Sequence, residues 1–236
     1  MKKDAKFYDK ESSVYSKKRY PFVDTDYLHF FFKKRLRILL SYLDFISEKR
    51  TGINLLEIGC ADGVVLRAIS KHSKSFSEML GIDISPKMIE VAKSETFDKN
   101  ILFAVKGEKE LSFYDVILEV GVLNMNDFGD EFSFVKKHLR KGGYYICSVA
   151  SGTSFRALFK SGKEEDKFHH FLRFEEYDRK IKKNFIIIKS SHYGLFIPLI
   201  WKFPIFARII QPILENLFKL VAKRFFHEKI YLLKYK

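Results

Sequence analysis

The segment Leu55 to Gly63, LLEIGCADG, constrains the fold more than any other part of the chain. A short apolar run, Ile53 to Ile58 (INLLEI), ends at a glycine, which suits a buried strand better than a helix. The loop behind it carries Gly59-x-x-x-Gly63, and a helical pattern starts at once. Glycines at such a turn let backbone approach a ligand closely. The helix N-terminus that follows offers unpaired N–H groups to an anion. Twenty residues after Gly63, Asp83 closes a second strand, where the edge of a doubly wound sheet presents an acid to a ribose diol. The dinucleotide spacing Gly-x-Gly-x-x-Gly is absent, which disfavours a pyrophosphate cradle and with it a nicotinamide dehydrogenase.

The chain around this segment alternates strands and helices. Asp24-Thr25-Asp26 is read as the cap of a helix through about Lys49, with Leu28, Phe32, Leu36, Leu39, Leu43 and Ile46 on one face. Helices are expected at Val64–His72, from Pro86 through Lys93, and over 130–139; further strands are expected at Glu78–Ile84, Ile101–Val105, Asp115–Val120 and Tyr144–Ala150. The alternation implies right-handed crossovers and a parallel, doubly wound α/β sheet. Beyond Ser151 a helix begins at Arg173, strands are read at Asn184–Ser191 and Lys229–Tyr235, and short helices punctuated by Pro204 and Pro212 are expected within Leu195–Phe226.

Composition limits partners and compartment. The 236 residues carry 43 Lys and Arg against 29 Asp and Glu, a formal net charge of +14, which favours anionic partners without choosing among nucleic acid, phospholipid and phosphorylated substrates. The excess lies in the flanks: residues 1–50 and 195–236 are each net +6, and the middle only +2. Cys60 and Cys147 form no metal-ligand pattern, so a reducing, cytoplasmic setting without structural zinc is expected. MKKDAKFYDKESS predicts no secretory signal, and no window reaches the ~18 apolar residues of a membrane span.

Over roughly residues 50–190 these motifs resemble class I S-adenosylmethionine (SAM)-dependent methyltransferases of the small-molecule type, similar to the quinone and lipid enzymes. LLEIGCADG resembles the family's first motif, with Glu57, Gly59, Cys60 and Gly63 at cofactor positions. LGIDISPKMIEVAK resembles the second, with Asp83 at the ribose-binding acid, Ile84 at the residue packing on adenine and Met88 behind it. Lys106-Gly107-Glu108 is similar to the Gly-Asp after the third strand, with Glu108 toward the adenine amine. YDVILEVGVLNMND resembles the fourth-strand motif: Glu119 is a candidate for the methionine ammonium, or a plain strand-end acid. Asn124 and Met125 stand where related chains often carry a histidine, so no catalytic histidine carries over. Tyr15 and Arg19, with Tyr8 and Tyr20, lie in a segment that in related enzymes folds over the cofactor.

The resemblance implies a Rossmann-like, seven-stranded sheet, mostly parallel with an antiparallel last strand. The division it implies is an N-terminal helical cap (1–50), a cofactor-binding core (51–191), a helical insertion (192–227) and the last strand (228–236). It implies in-line transfer of the SAM methyl group, leaving S-adenosylhomocysteine (SAH), to a small or amphiphilic acceptor (lipid-, quinone- or glycan-like), at oxygen. No catalytic dyad is assigned. His169, His170 and His192 are read as structural.

The stretch 195–226 is open to two compatible readings. One is a helical lid packed on the fold. The other is a basic, aromatic surface for a membrane or lipid-like acceptor, built from Trp201, Phe203, Phe206, Leu214, Leu217 and Phe218 with Lys202, Arg208, Lys219, Lys223 and Arg224. The alternatives for the whole chain are an RNA methyltransferase, suggested by the charge, and a catalytically silent membrane-surface protein on the same fold. Against the first, the fourth strand ends in Glu119-Val120-Gly121, and no separate RNA-binding module is visible.

Overall fold

The computed structural model describes residues 5–21, 27–48, 50–123, 128–159, 171–197 and 203–236. The capping residues 24–26, the positions 124 and 125, and His169, His170, Trp201 and Lys202 lie outside the described residues, as do the side chains of Phe206 and Arg208.

Two short helices, α1 (Ala5–Asp9) and α2 (Tyr15–Arg19), precede the long α3 (Tyr27–Ser47). The alternating core follows as β1 (Ile53–Ile58), α4 (Val64–His72), β2 (Phe76–Asp83), α5 (Pro86–Ser94), β3 (Ile101–Val105), β4 (Tyr114–Glu119), α6 (Phe128–His138) and β5 (Leu139–Ala150). After α7 (Phe155–Phe159), α8 (Phe174–Lys182) and β6 (Phe185–Tyr193) come α9 (Pro204–Val221) and β7 (Glu228–Tyr235). One seven-stranded sheet results, in the order β3-β2-β1-β4-β5-β7-β6. The pairs from β3 to β5 are parallel, and β7 runs antiparallel between β5 and β6.

Period-two patterning sorts the side chains onto two faces. On one, Leu55, Val116, Leu118 and Ile146 pack with Phe31, Leu39, Leu43 and Ile46 of α3, Leu66 and Ile69 of α4 and Ile89 of α5. On the other, Leu56, Ile117, Tyr145 and Cys147 pack with Phe132 and Val135 of α6 and Tyr177 and Ile181 of α8. The expected α3 face is rotated slightly. Phe31 and Arg35 take the buried line, while Leu28, Phe32 and Leu36 pack half-buried against it.

Two expectations are corrected. β5 starts at Leu139, not Tyr144: Gly142-Gly143 punctuates nothing, because the ladder to β4 slips between Tyr114 and Val116 and the glycines carry the strand through that bulge. Gly142 has φ +73°, and a Cβ on Gly143 would lie 2.9 Å from the Asp115 carbonyl oxygen. The expected short helices of 195–226 are one 18-residue helix, α9, with Pro212 inside it, followed by a 3-10 turn at Lys223–Phe225. An interior proline forfeits a helical hydrogen bond. Buried anchors at Gln211 and Glu215, described below, bracket that position and hold the helix through it.

Candidate active site

The loop from Glu57 to Gly63 folds back onto the end of β2. Gly59 and Cys60 both donate their N–H to the Ile82 carbonyl, at 2.7 and 3.1 Å. The chain then bends through three residues of positive φ: Gly59 (+74°), Ala61 (+48°) and Gly63 (+76°). Ala61 occupies a conformation uncommon for a residue with a Cβ. Its N–H is held by Asp83 Oδ2 at 2.9 Å. Asp83 Oδ1 accepts the N–H of Ser85, also at 2.9 Å, so one carboxylate ties the loop to the start of α5. Ser85 caps that helix by accepting from the Met88 N–H at 3.2 Å. Burial raises the Asp83 carboxyl above its ordinary range, against the pull of those N–H donors.

The glycines are needed first by the protein's own packing. A Cβ on Gly59 would lie 2.3 Å from Val122 Cγ2, and one on Gly63 would lie 2.6 Å from Phe103 Cζ. Gly63 also caps α4 in the left-handed region.

Glu57 ends β1 on the face shared with α3. It is buried, and its Oε2 meets no hydrogen-bond partner. Burial pushes its carboxyl well above the usual carboxylate range, and Arg35 of α3 pulls the other way. Arg35 is itself buried, 3.8 Å from Glu228 and against the Phe32 ring. Its Nη1 fills the space beside Gly121, just past β4. Sequence reading missed Arg35. The available signal was a cation four residues from both Phe31 and Leu39, in line with the buried face.

The N-terminal segment clasps this loop. Asp62, buried and also missed, accepts from the Ser16 N–H at 3.0 Å and from the Ser16 hydroxyl. Ser85 donates its hydroxyl to Asp9 at 2.5 Å. Tyr8 lies close enough to Asp83 to feel its charge, and its phenol is pushed up to about 12, by burial first and Asp83 second. Arg19 stacks 3.8 Å above the Tyr15 ring and bonds Glu11 through Nη2 at 3.0 Å, leaving a buried Nη1 without a partner. Burial raises the Tyr15 phenol as well.

Around one loop, then, stand Glu57, Gly59, Cys60, Gly63 and Asp83, with Ile84 beside them 41% exposed. Glu108 is exposed on the turn after β3, whose Lys106 N–H bonds the Asp83 carbonyl. Two expected contacts sit elsewhere. The Met88 side chain is buried in the protein, offering no open surface. Glu119 projects from the opposite face of the sheet to Glu57, because Glu57 pairs in register with Leu118 and neighbouring strands alternate together. It is fully buried and accepts the Tyr145 hydroxyl at 2.5 Å. His192 lies on β6 against Phe174 and Phe226, and Cys147 is buried within β5. No group of His, Cys, Asp and Glu among the described residues is arranged to hold a metal ion.

Residues 28–187 match the family model described as "Methyltransferase domain". A malonyl-(acyl-carrier protein) O-methyltransferase of Bacillus cytotoxicus is 30% identical over 140 residues, 56% of this chain and 49% of that protein. A demethylmenaquinone methyltransferase of Staphylococcus aureus is 32% identical over 108 residues, 43% of this chain and 45% of its own. The chain thus spans about half the length of the curated relatives it matches. In fold it resembles the magnesium protoporphyrin IX methyltransferase of Synechocystis PCC 6803 with bound SAH, at a TM-score of 0.65 and 12% identity over 99% of this chain and 100% of the other.

Proposed function

Since the chain belongs to the methyltransferase-domain family, we propose that it transfers the methyl group of SAM to a small or amphiphilic acceptor, at oxygen, by in-line displacement. The observation that carries this reading is the closure of the 57–63 loop on Asp83, which brings a glycine turn, a helix N-terminus and a carboxylate to one place. The polar atoms left open there suit a zwitterionic nucleoside. Glu57 Oε2 is a buried acceptor in want of a donor such as an ammonium. The buried Arg19 Nη1 is a donor in want of an acceptor such as a carboxylate. Asp83 retains lone pairs for ribose hydroxyls, and Ile84 offers an exposed apolar side chain for a base, with Glu108 at its edge.

The bound cofactor supplies a methyl group already activated on a sulfonium. The chain's part is to hold and orient. Aligning acceptor and methyl carbon contributes an effective molarity of about 10⁵ M or more. A base is required only where the acceptor is protonated at working pH. Burial holds the Glu57 carboxyl well above its ordinary range, and the buried Arg35, beside Gly121, pulls it back toward the ionised form that an arriving ammonium would also favour. The acceptor class rests on the names of two relatives, a malonyl-(acyl-carrier protein) O-methyltransferase and a demethylmenaquinone methyltransferase, and the oxygen on the first alone.

Calorimetric titration with SAM tests the reading: saturable binding is expected, and no heat at millimolar ligand would overturn it. Asp83→Ala should weaken binding by about 1–3 kcal/mol, with circular dichroism reporting that the fold survives. Unchanged affinity would remove Asp83 from the site.

A further inference from the structure

Helix α9 is rotated so that two of its polar residues, Gln211 and Glu215, face the protein while a strip of its apolar residues faces outward. Glu215 is buried and accepts the Tyr27 hydroxyl at 3.2 Å and the Leu195 N–H at 3.4 Å, and it pairs with Lys34 of α3. Gln211, one turn earlier, is buried too and donates to the Tyr27 hydroxyl at 3.0 Å and to the Leu195 carbonyl. Two anchors at i and i+4 lie on one line of the helix and fix its rotation. Leu214 and Phe218 fill the next strip, against the α6/α8 side of the core, with Phe218 beside Phe155 and Phe225.

That rotation leaves another apolar strip open. Ile209 is 64% exposed, Ile213 59%, Leu217 55%, Leu220 83% and Val221 83%. At 100° per residue the first four fall within an arc of roughly 80°. No other element among the described residues presents more than two exposed large hydrophobics. The strip differs from the face expected from sequence, since Leu214 and Phe218 pack inward and Ile209, Ile213 and Leu220 replace them.

Charge selects the occupant. Glu215 and Glu228 are the only acids in residues 195–236, and both are buried, one on Lys34 and the other near Arg35. The outward surface of this segment therefore carries cations without acids, with Lys219 beside the strip and Lys223 and Arg224 exposed just beyond it. An apolar strip rimmed by lysine and arginine matches a helix lying in the interface of an anionic bilayer. A second copy fits poorly, because two net +14 chains would bring like-charged rims together. Over 18 residues α9 is about 27 Å long, and no helix among the described residues is long and apolar enough to cross a membrane.

We propose that α9 docks the protein on an anionic phospholipid surface, with Ile209, Ile213, Leu217 and Leu220 seated at the headgroup–acyl boundary and Lys223 and Arg224 on phosphates. The docking does not depend on methyl transfer, so the two readings fail separately.

Sedimentation of the full chain with sucrose-loaded vesicles, of phosphatidylcholine alone or mixed with phosphatidylglycerol, tests it. Binding is expected on the mixed vesicles and should weaken as salt rises. Ile213→Glu with Leu217→Glu should lower the partition coefficient at least ~100-fold. Lys223→Gln with Arg224→Gln should lower it roughly 30-fold. Both pairs should leave thermal unfolding and SAM binding unchanged. Wild-type protein that ignores mixed vesicles, or an Ile213→Glu/Leu217→Glu variant that pellets as well as wild type, overturns the proposal. So does a wild-type dimer in analytical ultracentrifugation that the same variant dissociates, without vesicle binding. Vesicle binding without SAM binding would leave the docking standing and remove the methyltransferase assignment.

Discussion

The loop after β1 and the helix α9 differ in what they present outward: tightly packed glycines and a buried carboxylate in the first, an exposed apolar strip in the second. In the loop, apolar groups are packed tightly enough that a Cβ on Gly59 would collide with Val122, while polar atoms of Glu57 and Arg19 stay buried without partners. In α9, the Glu215 carboxylate gathers donors from Tyr27, Lys34, Gln211 and Leu195. Gln211 Oε1 alone on that helix stays buried without a partner among the described residues, while a line of isoleucine and leucine faces outward. A buried polar atom without a partner carries a desolvation penalty that a polar ligand relieves. An exposed apolar strip is relieved by an apolar surface. The contrast separates the site proposed for a small charged molecule from the face proposed for an extended apolar one.

The comparison breaks most easily at the inner side of α9. Glu215→Ala strands Lys34 and removes the acceptor of four donors, so it should cost about 3–5 kcal/mol of unfolding free energy by urea denaturation. A loss under 1 kcal/mol would mean that the anchors do not set the helix rotation. Gly59→Ala comes next. Positive φ and overpacking on Val122 together should cost about 2–4 kcal/mol, with SAM binding lost, because the loop cannot close on Ile82. Wild-type stability with lost binding would show instead that the glycine serves the ligand alone.

A smaller effect belongs to His192, whose imidazole is pushed down to about 4, by burial first and then by Lys229 and Lys223. Between pH 6.5 and about 4 the unfolded chain binds a proton at this position that the folded chain does not, so stability falls as pH drops through that window. His192→Gln should remove roughly 1–2 kcal/mol of that loss at pH 5, after solvent screening at this half-buried ring. The thermal midpoints of variant and wild type should diverge on acidification and approach each other at pH 7.5. The smallest effect sharpens the contrast: Ile213→Glu alone should move stability by no more than about 0.5 kcal/mol, since its side chain supports nothing inside the fold.

How much of this was legible depended on the range of the cause. β1, α4 and β3 begin and end where the sequence places them, because apolar runs, the Gly59-x-x-x-Gly63 spacing and flanking turn residues act within a few positions. Asp83 was legible for the same reason, as the acid at the end of a strand. Arg35, Asp62 and Ser16 were not, since each takes its role from partners 22 or more residues away along the chain. Glu119 shows the same limit. Its position at a strand end was readable, but the face it points to follows from the register of β4 against β1.

Local patterning of apolar residues, glycines and one acid thus determined the alternating sheet and the loop at its carboxyl edge, because each of those elements answers to neighbours along the chain. Only the tertiary structure decided which way α9 turns. Its two apolar strips are equivalent as sequence, and the choice between them was made by Tyr27, Lys34 and Leu195, which bind Gln211 and Glu215 and so send one strip inward and the other to the outside.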